Sequence, residues 1–176
     1  DSIFLDIRDL DIQKVTVDGA ETPFKLGSAK EWLGQSLAVP VSETSKKLVI
    51  TYSTRPGAEA LQWLEPSQTA GKKYPYLFTQ GQAILTRTWI PIQDSPGIRL
   101  TYDAKISVPE ELMAVMSASN PQTKTDNGIY TFKMEQPIPA YLIALAAGDL
   151  EFVSIGKRTG VYSEPSVVKK AAEEFS

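Results

Sequence analysis

The chain of 176 residues contains no histidine and no cysteine. The first absence excludes a nucleophile activated by imidazole, and the two together exclude the usual donor sets of a zinc site. The missing cysteines also exclude a disulfide framework. They do not fix the compartment, since periplasmic domains can lack cysteine as well. Long apolar runs are absent too, and the longest, Tyr141 to Ala147, falls far short of a membrane span. No basic block exceeds a lysine pair, at Lys46-Lys47, Lys72-Lys73 and Lys169-Lys170, and the formal net charge is -3. The electrostatic footprint of a nucleic-acid binder is therefore lacking. No signal peptide opens the chain, and it starts on Asp1 rather than methionine. The expectation is a protein whose beginning lies upstream, working in the cytoplasm or alternatively the periplasm, with neither nucleic acid nor membrane as partner.

What is present suits one globular domain: 42% hydrophobic and 22% charged residues. Period-two alternation dominates. From Ile98 to Val108, apolar and polar residues alternate without a break, which predicts an antiparallel strand with one wet face, ended by Pro109. Leu5 to Val17 alternates with a slip near Arg8-Asp9, and Asp18-Gly19 supplies a hairpin turn signal. Further strands are expected over Leu48 to Thr54, Leu112 to Ala118, Ile129 to Met134 after an Asn127-Gly128 turn, Leu150 to Ile155 and Thr159 to Tyr162. Tyr141 to Ala147 is apolar on both faces, the pattern of a central strand.

Helical signals are few. Glu65 to Ala70 predicts a single turn. Ser163, followed by Glu164 and Pro165, predicts the N-cap of a helix running to the end. The fold class expected is all-β, antiparallel sheets in a curved or sandwich-like arrangement with a short C-terminal helical stub.

Residues 60–96 differ from strand-and-turn filler. Trp63, Tyr74, Tyr76, Phe78 and Trp89 crowd together with amides and prolines, either as the wall of a pocket or as a seal between two sheets. Within this segment Gln80-Gly81-Gln82 sits at the expected start of a strand. Two glutamines on one strand face could receive a small polar group. The same triplet also reads as a glycine β-bulge with two surface glutamines. Glu65, Asp94, Glu110 and Glu111 offer carboxylates, but no spacing singles out a pair, and adjacent residues on a strand face opposite ways.

The stretch LQWLEPSQTAGKKYPYLFTQGQAILTRTWIPIQDSP, then LTYDAKISVPEELMAVMSA and QPIPAYLIALAAGDLEFVSIGKRTGVYSE, resembles the N-terminal β domain of gluzincin zinc aminopeptidases. The match is to the aminopeptidase N / leukotriene-A hydrolase family, bacterial type. DLDIQKVTVDG and PFKLG have counterparts as well, so the resemblance covers nearly the whole chain.

The resemblance implies a saddle-like β domain over residues 1–162, its first strands missing, and a segment 163–176 that begins the first helix of a catalytic domain. That domain, joined in cis, would carry the zinc ion through a His-Glu-x-x-His helix and a distant glutamate, with a metal-bound water as nucleophile. No cofactor and no catalytic or metal-ligating residue is expected in these 176 residues. An exopeptidase must sense a free α-ammonium group, which only donates and so needs oxygen acceptors. The resemblance places Gln82 among those acceptors, with Gln80 and Gly81 beside it, as substrate-binding residues for a peptide N-terminus. Many members of the family have glutamate at the position of Gln82; the glutamine resembles the leukotriene hydrolase branch and pulls less strongly on a cation. Tyr76 and Phe78 would either wall the pocket or pack in the core. The competing class is a free-standing carbohydrate- or protein-binding β-sandwich, using Trp63, Trp89, Tyr74 and Tyr76 as stacking rings.

Overall fold

A computed structural model describes residues 1–176, and the chain divides into two compact units. Unit 1 comprises Asp1–Leu61, Gln80–Leu100 and Ile138–Ile143; unit 2 comprises Gln62–Thr79, Thr101–Pro137 and Ala144–Ser176. Strands dominate both, antiparallel pairing recurs in each, and one short helix ends the chain.

Unit 1 is built from β1 (Ser2–Ile7), β2 (Leu10–Val17), β3 (Ala20–Glu21), β4 (Lys25–Leu26), β5 (Gln35–Pro40) and β6 (Leu48–Thr54). They form two three-stranded sheets, in the orders β1-β5-β4 and β3-β2-β6. The alternation from Leu5 to Val17 is therefore not one strand. Asp9 adopts φ 55, and the chain turns a corner there that sends β1 and β2 into different sheets. Aspartate tolerates this left-handed conformation better than most residues. The corner lets Ile7, Leu37 and Val39 of one sheet meet Leu10 and Val15 of the other in a shared core. Each such side chain contributes about 1.5–3 kcal/mol on burial. The Asp18-Gly19 turn forms as expected, with φ of 50 and 86, the pair of positive angles that matches strand twist. The Asp18 carboxylate accepts from the Lys47 and Lys46 main-chain N–H groups at 2.8 and 3.1 Å.

The rest of unit 1 is held by a buried charge network. A 3-10 turn, Thr86–Thr88, places Arg87 in the interior. The Arg87 Nε and main-chain N–H both donate to Asp94 Oδ2 at 3.1 Å, and Nη2 donates to the Asp94 carbonyl at 3.1 Å. Nη1 reaches the Leu33 carbonyl at 2.7 Å. Asp6 Oδ2 accepts from the Asp94 main-chain N–H at 2.9 Å. Arg8, also buried, donates to the Trp32 carbonyl and pairs with Glu59.

Unit 2 holds most of β7 (Leu61–Leu64), all of β8 (Tyr76–Thr79), and most of β9 (Arg99–Ser107). It continues through β10 (Met113–Met116), most of β11 (Ile129–Pro139), β12 (Leu145–Gly148), β13 (Glu151–Ser154), β14 (Gly160–Ser163) and α1 (Val168–Glu174). One sheet runs β10-β12-β8-β7, while β9 with β11 and β13 with β14 make two-stranded ribbons. Along β9 exposure alternates residue by residue, as the sequence pattern requires. Gly128, at φ 66, leaves no room for a side chain, because a Cβ would strike the Val108 carbonyl oxygen. Tyr130 is fully buried, yet its hydroxyl is satisfied: it donates to the Leu112 carbonyl at 3.0 Å and accepts from the Thr125 N–H at 3.1 Å.

Two expectations are corrected at the end of the chain. Tyr141 to Ala147 is not a continuous strand: Ala140–Leu142 forms a 3-10 turn, and only Leu145–Gly148 enters the sheet, between β10 and β8. A buried turn and a buried strand are equally apolar, so hydropathy could not separate them. Ser163 does not cap the helix, being the last residue of β14 and paired with Glu151. The helix starts later, where Val167 and Val168 N–H groups bond the Glu164 carbonyl at 3.0 Å. The Glu164 side chain instead accepts from Ala70 and Gly71 N–H groups at 2.7 and 3.0 Å. The expected turn near Glu65 is present as Pro66–Gln68.

Two outcomes are expected. Arg87→Ala leaves the Asp94 carboxylate buried without its cation and lowers unfolding free energy by about 3–5 kcal/mol. Asp94→Ala added to Arg87→Ala costs less than the sum of the two single changes in urea unfolding. The second outcome concerns alkali. Burial pushes the hydroxyl pKa values of Tyr52, Tyr76, Tyr102 and Tyr162 upward. A raised acid is protonated more readily folded than unfolded, so this stability is fully present below about pH 10 and lost as pH climbs through the folded values. The thermal midpoint should fall in that window, and Tyr52→Phe should flatten the fall.

Candidate functional site

The glutamine triplet lies after a strand, not at the start of one. The chain leaves β8 at Thr79 and enters a loop in which Gln80 and Gln82 are exposed and Gly81 between them is buried. The loop is fixed at both ends by main-chain bonds. The Gln80 N–H donates to the Ala60 carbonyl at 2.8 Å, and the Gly81 carbonyl accepts from the Leu85 N–H at 2.8 Å. The Gln82-Ala83 peptide is cis.

Neither strand alternation nor a bulge explains Gly81. Its Cα lies against two other segments: a Cβ there would come to 2.7 Å from Thr86 Oγ1 and 2.9 Å from the Tyr141 carbonyl oxygen. Glycine is required by close approach, the backbone passing where a side chain cannot. Because Gly81 is pressed inward, the residues on either side of it project outward.

The two carboxamides are not equivalent. Gln80 Oε1 accepts the main-chain N–H of Gln82 at 3.2 Å. A main-chain donor identifies the accepting atom as oxygen, so the orientation of this amide is set and its NH₂ faces away. The Gln82 carboxamide has no hydrogen-bonding partner within the chain and keeps its oxygen available. The bond from Gln80 thus holds the backbone that carries Gln82. Periodicity could not show this, because an i to i+2 side-chain bond depends on loop geometry.

Below the loop, the Thr86–Thr88 turn reaches three different segments. Thr86 Oγ1 donates to the Ala140 carbonyl at 3.0 Å, Arg87 binds Asp94, and Thr88 Oγ1 accepts from the Ala60 N–H at 3.0 Å. The Trp89 carbonyl accepts from the Tyr52 hydroxyl at 2.8 Å. Thr86, Arg87 and Thr88 did not stand out in the sequence, where they read as an ordinary polar run.

The aromatic residues of the 60–96 segment do not gather into one feature. Trp63 is 62% exposed on β7. Tyr76 and Phe78 have ring centroids 6.1 Å apart and planes tilted by 32°, and the Tyr76 ring lies against Gly148. That is packing within unit 2, and the tilted pair makes no flat stacking platform. A wide cleft of about 580 Å³ runs over the β9–β11 ribbon, lined by Lys105, Ser119, Thr131 and Lys133 among others, and one of about 500 Å³ lies along β11, lined by Ser117, Lys133 and Glu135 among others; neither includes a residue of the glutamine loop. They are broad surface depressions without convergent polar chemistry.

The glutamine loop presents two neutral amides, each able to donate and accept hydrogen bonds. The chain's donors do not suit a zinc ion: histidine and cysteine are absent, and no group of three carboxylates converges. No helix is long and apolar enough to cross a membrane.

Comparison with known proteins identifies the chain's family and fold. The model of the Peptidase M1 N-terminal domain matches residues 1–142. Leukotriene A-4 hydrolase of Xenopus laevis is 43% identical over 185 residues, covering 99% of this chain and 30% of that protein. Leucine aminopeptidase 2 of Yarrowia lipolytica is 42% identical, covering 99% and 27%. The chain thus spans less than a third of the length of these curated relatives. The structure of native leukotriene A4 hydrolase from Saccharomyces cerevisiae superimposes with a TM-score of 0.91 at 39% identity, over 99% of this chain and 27% of that one. An M1 zinc metallopeptidase from Deinococcus radiodurans, at 20% identity and a TM-score of 0.62, covers 92% and 38% and shares the fold. The all-β architecture and the early resemblance both hold, and the chain belongs to the Peptidase M1 N-terminal domain family, the N-terminal part of zinc metallopeptidases of the leukotriene hydrolase and aminopeptidase type.

Proposed function

We propose that this chain serves a zinc-dependent aminopeptidase as its N-terminal domain, and that its glutamine loop supplies part of the pocket for the substrate's free α-ammonium group. Residues 1–162 form the β domain in this reading, and 163–176 lead into a catalytic domain joined in cis. That domain holds the zinc ion and performs the hydrolysis; the chain alone is inactive. The peptide N-terminus is the only ligand assigned, with no nucleic acid and no membrane, and the compartment is the cytoplasm or the periplasm.

The observation that carries the proposal is the exposed, unpartnered carboxamide of Gln82, held on a loop whose main chain is bonded at each end. An ammonium group has three donors and no acceptor, so it is recognised by oxygen atoms fixed in advance. Gln82 Oε1 is an available acceptor carried on a main chain that Gln80 holds in place. Gly81 lets the loop pass close beneath it, and Gln80 borders the bound residue. A neutral amide binds a cation less strongly than a carboxylate does, so the remaining attraction falls to acidic groups of the catalytic domain. Relatives named leucine aminopeptidase 2 and aminopeptidase B are consistent with amino-terminal hydrolysis.

In the full-length enzyme, Gln82→Ala should raise KM for amino-acid anilides or lower kcat, at a cost of about 1–3 kcal/mol in kcat/KM. Gln82→Glu should lower KM, because a charged acceptor strengthens the bond to ammonium. Unchanged kinetics in the alanine variant would remove Gln82 from the site. The 176-residue chain alone should release no product from the same anilides; turnover insensitive to chelators would overturn the division of labour.

A further inference from the structure

A hydroxyl occupies a place beneath the loop where a methyl group would fit equally well. Thr86 is 0% exposed. Valine has almost the same shape, so filling the space does not require threonine. What the hydroxyl adds is direction: Oγ1 donates to the Ala140 carbonyl at 3.0 Å, across 54 residues of sequence. That carbonyl already accepts the Ile143 N–H at 3.0 Å. Removing the hydroxyl therefore leaves the carbonyl with a partner, and the main loss is the tie between the turn at 86–88 and the turn at 140–142.

Both turns face Gly81 on the side where a Cβ would stand. The atoms nearest to a Cβ built on it are Thr86 Oγ1 at 2.7 Å, the Tyr141 carbonyl oxygen at 2.9 Å and Tyr141 Cα at 3.0 Å. The same hydroxyl thus closes off the space beside the glycine and ties down the second segment that fills it. Gln82 follows immediately, and its own N–H is held by Gln80.

We propose that Thr86 is a positioning residue for Gln82: its hydroxyl locks the Ala140–Leu142 turn against Gly81 and so sets where the Gln82 carboxamide stands. The proposal rests on the reading of Gln82 as the ammonium acceptor. Thr86 touches no substrate, and its effect must pass through the loop. A shift of about 1 Å in a positioned group is enough to weaken recognition severalfold.

A double-mutant cycle in the full-length enzyme tests this, with amino-acid anilides as substrate and the thermal midpoint recorded for every variant. Thr86→Val should raise KM about 3–10-fold with kcat within about twofold of the parent, and Thr86→Ser, which keeps the hydroxyl, should stay near the parent. In the Gln82→Ala background Thr86→Val should add less than about twofold, because the group it positions is gone. Full additivity in that background, or a lowered thermal midpoint with KM unmoved, would overturn the proposal and leave Thr86 a residue of the core. Failure of Thr86→Ser to restore KM would do the same. A silent Gln82→Ala by itself overturns the ammonium reading, and the Thr86 proposal falls with it, whereas an effective Gln82→Ala with additive kinetics overturns only the role of Thr86. If Thr86→Val does not accumulate as folded protein, Thr86→Ala completes the cycle; loss of the fold in both would mark Thr86 as a folding residue and likewise overturn the proposal.

Discussion

Unit 1 depends on a single fact of electrostatics: Arg87 is inside. A guanidinium removed from water must find acceptors for its fork of N–H groups or the fold is lost. It finds them in the Asp94 carboxylate and carbonyl and in the Leu33 carbonyl. Satisfying one buried cation therefore fixes the route of two otherwise unrelated loops. Asp6 extends the network by accepting the Asp94 N–H, which ties β1 to the same centre. The Arg8 main chain continues it, its N–H donating to the Arg87 carbonyl at 2.9 Å. Hydrophobic burial supplies most of the stabilisation of the unit; the arginine specifies its loop conformations.

The glutamine loop gains order from this arrangement without containing any of the charge. Its neighbours, Thr86 and Thr88, flank Arg87 in one turn, and each satisfies a different main-chain group. The exposed amides consequently stand on a foundation more rigid than a surface loop normally has. In the role proposed for Gln82, a neutral acceptor suits a cationic ligand that must also leave after each turnover, because a stronger hold on substrate and product alike gains nothing in rate.

The sequence revealed those elements whose pattern is local. Alternation located β6, β9, β11, β13 and β14, and Asp18-Gly19 identified its turn through residues that accept positive φ. It misplaced elements whose nature depends on distant partners. Leu5 to Val17 showed only a slip near Arg8-Asp9, because the corner at Asp9 that separates two sheets leaves the hydropathy pattern almost intact. Tyr141 to Ala147 read as a strand because a buried turn is just as apolar. Ser163 read as a cap because its sheet partner, Glu151, cannot be inferred from the residues that follow it. The strands β5, β7 and β8 were missed, being short or interrupted by polar residues. For the site, collinear resemblance singled out Gln80, Gly81 and Gln82, while their geometry was illegible, since it arises from contacts with residues 60, 86 and 141.

Those distant contacts also determine when the loop can form. Thr86 meets Ala140 and Arg87 meets Leu33 across 54 residues each, and Ala60 meets Thr88 across 28. Closing such long stretches of chain is opposed by conformational entropy until enough partners are in place to hold them. The hairpin of β2 and β3, joined by a two-residue turn, faces almost no such barrier. During synthesis, too, the loop must wait until residue 140 has left the ribosome before its last tie can close. The order of the glutamine loop thus depends on ties that join residues far apart in the chain.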